Sequence, residues 1–260
     1  MNSRILIAFS LAACSYGQPL SDVRPPSVAD GISEEEAAKG RALLTEAQKA
    51  YGLDAWNSFK GAEFDMMAKW YLEDSGWLDD PQNFHFVALQ LGADDADLMF
   101  LNGPTMGEGW AMAGGKHFDI KNGERIAKAG PDPHMKVPIK NWWFQFPFRI
   151  SEAPIIGYGG TAEIKGKSYE VIYATWGSAE PNDKEDQYVI FMDPASKRME
   201  WLNFTHRKAN PAAVISMNHD DFHTVEGVLV PHHYMVYRGA PAATDQKVHE
   251  NTYVNLKFIR

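Results

Sequence analysis

The stretch that decides the fold is Thr161–His206, which holds TAEIKGKSYEVIYATW (161–176) and DQYVIFMDPASKRMEWLNFTH (186–206). Each reads as a β-hairpin. Lys165-Gly166-Lys167 turns the first and Asp193-Pro194-Ala195-Ser196 turns the second, each between runs rich in β-branched and aromatic residues. A strand sends alternate side chains to opposite faces. Ile172, Ala174 and Trp176 therefore share one face, and Tyr169, Val171 and Tyr173 the other. Neither set is polar. A sheet apolar on both sides needs a cover on one and a core, a ligand or a partner on the other.

Upstream of the hairpins, from Ala62, the hydrophobic period is two. AEFDMMAKWYLED (62–74) puts Phe64, Met66, Ala68, Trp70 and Leu72 on one face. NFHFVALQL (83–91), DLMFLNG (97–103) and GEGWAMAGG (107–115) follow between Gly, Asp and Pro turns, giving four antiparallel strands. Asp94-Asp95-Ala96-Asp97 lacks the spacing and glycine of a calcium loop and reads as a solvated turn. Gly157-Tyr158-Gly159-Gly160 lacks the helix a phosphate site needs and reads as a turn or bulge. Ile120–Ile150 breaks the β pattern and ends in Trp142-Trp143-Phe144-Gln145-Phe146-Pro147-Phe148. Such a block either plugs a core or forms a movable lid over the sheet.

Downstream, strands are expected near 213–217, 225–230, 233–238 and 248–259, the last with Thr252, Val254, Leu256 and Phe258 on one face. Before the sheet, Ser33 and Glu36 make a capping box with acidic residues in the first helical turn. Ala37, Gly40, Leu44, Ala47 and Tyr51 recur at helical spacing and Gly52 caps the end. Small residues on that stripe allow the helix to lie close to a sheet. The expected architecture is α+β and mainly β: one domain over 33–260, with about eleven antiparallel strands, an N-terminal helix and a mid-chain helical insert.

The first residues read as a targeting segment. Arg4 precedes an apolar run from Ile5 to Ala13 that is too short to span a bilayer as a helix. Leu11-Ala12-Ala13-Cys14 resembles the lipobox of bacterial lipoproteins, and Cys14 is the only cysteine. The resemblance implies a signal peptide over 1–13 and acylation of Cys14. The alternative is an ordinary signal peptide cut near Gly17. With no second cysteine the chain makes no internal disulfide, which suits a lipidated Cys14. Ser15, not Asp, follows, which implies the outer membrane and a periplasm-facing domain. Residues 14–32, rich in Pro, Ser and Gly, read as a disordered tether.

The net charge of −9 argues against nucleic acid or anionic headgroups as partners. Eight tryptophans suggest a wide apolar interior. The order of elements resembles the incomplete β-barrel of the Lol-type lipoprotein carriers and outer-membrane lipoprotein-sorting-like proteins. The matching stretches are Ala50-Tyr51-Gly52 with Trp56, Pro147–Ile150, Tyr169–Tyr173, Tyr188–Pro194 and Glu226–Pro231. The resemblance implies a half-open barrel with helices across its concave face and acyl chains between them. Trp70, Trp110, Trp142, Trp143, Phe144, Phe146 and Trp176 are the candidate lining. The expected partners are a lipid or acyl ligand, the membrane through its anchor, and an envelope protein if the interior is packed. No cofactor or enzymatic activity is expected, since no nucleophile elbow, phosphate loop or dinucleotide fingerprint is present. A metal-dependent hydrolase is the remaining alternative, with His219, Asp221, His223 and His232 as zinc ligands; the bland reading of that stretch is a solvated hairpin connection.

Overall fold

A computed structural model describes residues 20–72, 76–77, 82–127, 136–208, 210–241 and 246–260. Cys14 and the expected signal peptide lie outside the described residues. Two antiparallel meanders meet at the chain's two ends. β1 (Gly61–Leu72) pairs with β14 (Lys247–Ile259) on one side and with β3 (Gln82–Ala88) on the other. From β3 the sheet continues outward through β4 (Ala96–Phe100), β5 (Gly109–Ala113), β6 (Lys116–Lys121) and β7 (Glu124–Ala127). From β14 it continues through β13 (Val228–Arg238), β12 (Asn210–Val225), β11 (Met199–His206), β10 (Gln187–Met192), β9 (Lys167–Thr175) and β8 (Ile155–Ile164). The short β2 (Gly76–Trp77) pairs with β1 off this path. β7 and β8 end the path, so the barrel is half open, as expected, with fourteen strands among the described residues in place of about eleven.

Several expectations about individual segments change. β6 and β7 extend the β region to Ala127, inside the stretch expected to break it. The span 218–223 is not a connection: β12 runs unbroken to Val225, and Glu226-Gly227, both at positive φ, makes the turn expected to be strand. On β14 the buried side chains are Asn251, Tyr253 and Phe258, while Thr252 and Val254 are only half-buried. A register shift opposite Glu63 and Asp65, with Asn255 at φ 56°, switches the inward face partway along the strand. The 157–160 segment lies within β8, where a bulge shifts the register between Tyr158 and Thr161.

The hairpin faces are as the alternation requires. Ile172 and Ala174 join the main core, and Tyr169, Val171 and Tyr173 join a second apolar cluster on the outer face. α1 (Glu34–Ala50) starts at the Ser33–Glu36 capping box and buries Gly40, Leu43, Leu44 and Ala47. Gly40 rests on Gly157 of β8, where a Cβ would stand 2.9 Å from the Gly157 carbonyl carbon, so the small-residue stripe does bring helix and strand together. Gly52, at φ 85°, starts α2 (Leu53–Trp56), and an added Cβ there would meet the Gly227 carbonyl oxygen at 2.1 Å.

The outer cluster has a cover the sequence reading misses. Residues 20–32 are not a loose tether: they pack across β8–β12, with Val28 fully buried and Val23 nearly so. Covering the aromatic face offsets the entropy of ordering this segment, and its prolines, already stiff in φ, lower that entropy.

Candidate functional site

α3 (Lys136–Arg149) crosses the concave face. Its Trp142–Phe148 block has aromatic rings around most of its circumference, the pattern of a helix buried on several sides. Phe144 lies 4.8 Å from Phe64 and 6.0 Å from Trp56, ring centre to ring centre. Trp143 sits 4.6 Å from Phe204, Trp142 is edge-on to Trp176 at 5.8 Å, and Phe148 stacks on Trp56 at 4.1 Å. Phe146 is fully buried beside Trp143 and Tyr188. Four of the seven candidate lining residues, Trp142, Trp143, Phe146 and Trp176, therefore gather around Tyr188, at the β10–β11 side of the sheet, while Phe144 packs toward β1 and β14. Trp70 and Trp110 stand apart, Trp70 on His249 of β14 and Trp110 against Phe100 of β4.

The same helix carries a polar stripe that the sequence reading passed over. Asn141, Gln145 and Arg149 fall four residues apart, on one face, and all reach the turn between β3 and β4. The Asn141 amide donates to the Ala93 carbonyl at 2.9 Å, and the Gln145 amide donates to the same oxygen at 3.0 Å and to Asn141 at 2.7 Å. Gln145 Oε1 accepts from the Gly92 N–H at 2.6 Å, and Arg149 pairs with Asp94 at 2.7 Å. Asn141 and Gln145 are fully buried. Buried amides are tolerated because they are satisfied. The spacing of four was the available signal.

Deeper under α3, Lys140 donates to Asn251 at 3.1 Å, and Asn251 in turn meets His249 at 2.6 Å. Burial, then the nearby Lys140 charge, pushes His249 down to about 3, so this imidazole is neutral in the folded protein.

Two clefts border this architecture. One, of about 300 Å³, opens beside α2 and α3 over Trp56, Phe59, Leu91 and Phe148, with Asn57, Arg149 and Glu152 at its rim. The other, of about 470 Å³, lies over the far part of the outer face beside Tyr169, Trp201 and Phe222. There Lys167 bridges Asp193 at 2.6 Å and Glu200 at 2.8 Å. Between α3 and the sheet, rings of the protein itself occupy the space in which a ligand was expected.

The four residues weighed as zinc ligands do not converge. His219 is buried and its Nδ1 sits 3.1 Å from the Met199 carbonyl; burial lowers it to about 4. His223 pairs with Asp221 at 2.8 Å in the open, with His232 beside it at 4.7 Å between rings. Among the described residues no three His, Cys, Asp or Glu side chains are grouped as metal ligands would be.

No family profile matches the sequence, and no curated protein matches it. Solved structures do match the fold. A domain described as an outer membrane lipoprotein-sorting protein from Vibrio parahaemolyticus is 14% identical at a TM-score of 0.56, over 85% of this chain and 93% of that one. A LolA superfamily protein from Nitrosomonas europaea is 11% identical at 0.57, over 85% and 93%. A DUF1329 family protein from Desulfovibrio piger is 9% identical at 0.56, over 86% and 93%. At these identities the likeness is one of fold. The chain has the half-open β-barrel fold of the LolA-like, lipoprotein-sorting type.

Proposed function

We propose that the protein is a periplasm-facing envelope lipoprotein, held in the outer membrane through Cys14, that binds an apolar ligand such as an acyl chain between α3 and the concave sheet. One observation carries this reading: α3 is fastened by a few polar bonds, along the Asn141–Gln145–Arg149 stripe and at Lys140 and the Phe148 carbonyl, and most of its remaining contact with the sheet is aromatic. Buried apolar area is worth about 25 cal/mol per Å² whichever apolar group covers it. An acyl chain that slides under Trp142, Trp143, Phe144 and Phe146 covers again what the helix uncovers, so the exchange is nearly balanced. A polar ligand has no such compensation. In this reading the cleft over Trp56 and Phe148 is the entrance and Trp176 lines the inner end, while Trp70 and Trp110 stand outside the contact. The name of one structural neighbour, an outer membrane lipoprotein-sorting protein domain, supports the class of ligand by analogy only.

A second reading rests on the filled interior: an envelope scaffold that binds a protein through its outer surface. Native mass spectrometry after gentle extraction, with titration of a fluorescent fatty acid, separates the two. Co-purifying lipid or saturable uptake supports carriage. Neither, in a folded sample, leaves the scaffold.

A further inference from the structure

The segment over the outer face is fastened at its start. The Arg207 guanidinium, itself buried, donates to the Ser21 hydroxyl at 2.8 Å and also bonds the carbonyls of Ser21 and Pro211. The Ser21 N–H reaches Pro211 at 3.2 Å and its hydroxyl reaches Ala213 at 3.1 Å. Val23 N–H then donates to Gln187 at 3.2 Å, and Arg24 pairs with Glu180 at 2.9 Å. The chain is thus pinned from Ser21 to the corner where β11 passes into β12.

We propose that this strap turns the β11–β12 corner toward the membrane that carries the Cys14 anchor, and holds the domain there at short range. The inference rests on the anchoring reading given above. From Cys14 to Ser21 there are seven Cα steps, which reach at most about 25 Å. A chain free as far as Ser33 would reach roughly 65 Å. The domain has a radius of gyration of about 17 Å. With the shorter reach the pinned corner stays near the bilayer and the domain cannot roll over; with the longer one it could. Adhesion to headgroups is not the cause, because the adjoining loop carries Glu180, Asp183, Glu185 and Asp186 against Lys184 alone. β12 leads away from the corner: from Pro211 to Thr224 a strand extends roughly 40 Å. Exposed Lys208 is therefore close to the membrane and exposed Thr224 remote from it.

The test couples the mature chain, residues 14–260, through its single cysteine to maleimide lipid in phosphatidylcholine vesicles, which sets the anchor at Cys14 directly. A fluorophore on azidophenylalanine at position 208 or 224 reports energy transfer to an acceptor in the headgroup layer. Transfer several-fold stronger at 208 than at 224 is expected. Inserting ten Gly/Ser residues between Gly17 and Gln18, which leaves every strap contact in place, is expected to shrink that difference. Arg207→Ala is expected to shrink it as well, and the insertion decides the matter if that variant fails to fold. Equal transfer at the two positions in the native chain, or a difference the insertion leaves untouched, overturns the strap. The mass of the N-terminal peptide from cell membranes addresses the anchor separately. An unmodified Cys14 overturns the anchoring reading, and the membrane role of the strap with it, whatever the vesicles show.

Discussion

The Gly92 amide donates to Gln145 Oε1 across 2.6 Å, so a buried glutamine on the aromatic helix completes the backbone of a turn on the opposite arm of the sheet. This bond and its neighbours at Ala93 hold one side of α3. Gln145→Leu would leave the Gly92 N–H without that partner at a cost of about 1–3 kcal/mol. Hydrogen-exchange mass spectrometry should show residues 136–149 losing protection while β9–β11 keep theirs. Uniform loss, or none, would mean that α3 is not a separable element.

Phe144 touches four aromatic rings from α2, β1 and β14. Truncation to alanine should lower the unfolding free energy by about 3–5 kcal/mol, read from urea midpoints at constant slope. A loss under about 1 kcal/mol would show that the interior collapses easily and is poorly packed.

Gly40→Ala tests the approach of α1 to β8. In an exposed helix this change stabilises by about 1 kcal/mol. Here the new Cβ meets Gly157 backbone at 2.9 Å, and we expect destabilisation of about 1–3 kcal/mol instead. The sign of the change in melting temperature decides it.

Stability should fall as pH drops below about 6.5. An unfolded imidazole takes up its proton near 6.5. His249 and His219, pushed down by burial to about 3 and about 4, resist it in the folded state. His206 and His232 are lowered as well, each first by burial. Between pH 6.5 and 4 the unfolded chain therefore binds more protons, and each such histidine removes at most about 1.4 kcal/mol per pH unit. The contribution is complete above 6.5. His249→Gln should flatten the curve of urea midpoint against pH over this window. A curve already flat in the native chain would refute the assignment.

Much of the architecture was legible. Alternation at 169–174 placed each side chain on its correct face, because register in a sheet covered on both sides leaves no freedom to slip. The capping box at Ser33–Glu36 and the glycine after Tyr51 bounded α1 through local hydrogen-bond chemistry. The polar residues at 218–223 misled, since a polar run reads as a loop until its partner strand is known. β13 supplies that partner, pairing Asp220 with His233 and Phe222 with Pro231. The binding-site candidates were legible only as a composition of rings; four of the seven pack around Tyr188, a neighbourhood that depends on where α3 crosses the sheet.

The amino-acid order by itself determined the antiparallel hairpins, their inward and outward faces and the opening helix, all set by neighbours a few residues apart. Only the tertiary structure decided that the aromatic helix fills the concavity, that Gln145 finds Gly92, and that residues 20–32 lie down on the sheet. Those contacts join positions from about thirty to nearly two hundred residues apart, and their free energy depends on what surface the rest of the fold leaves exposed.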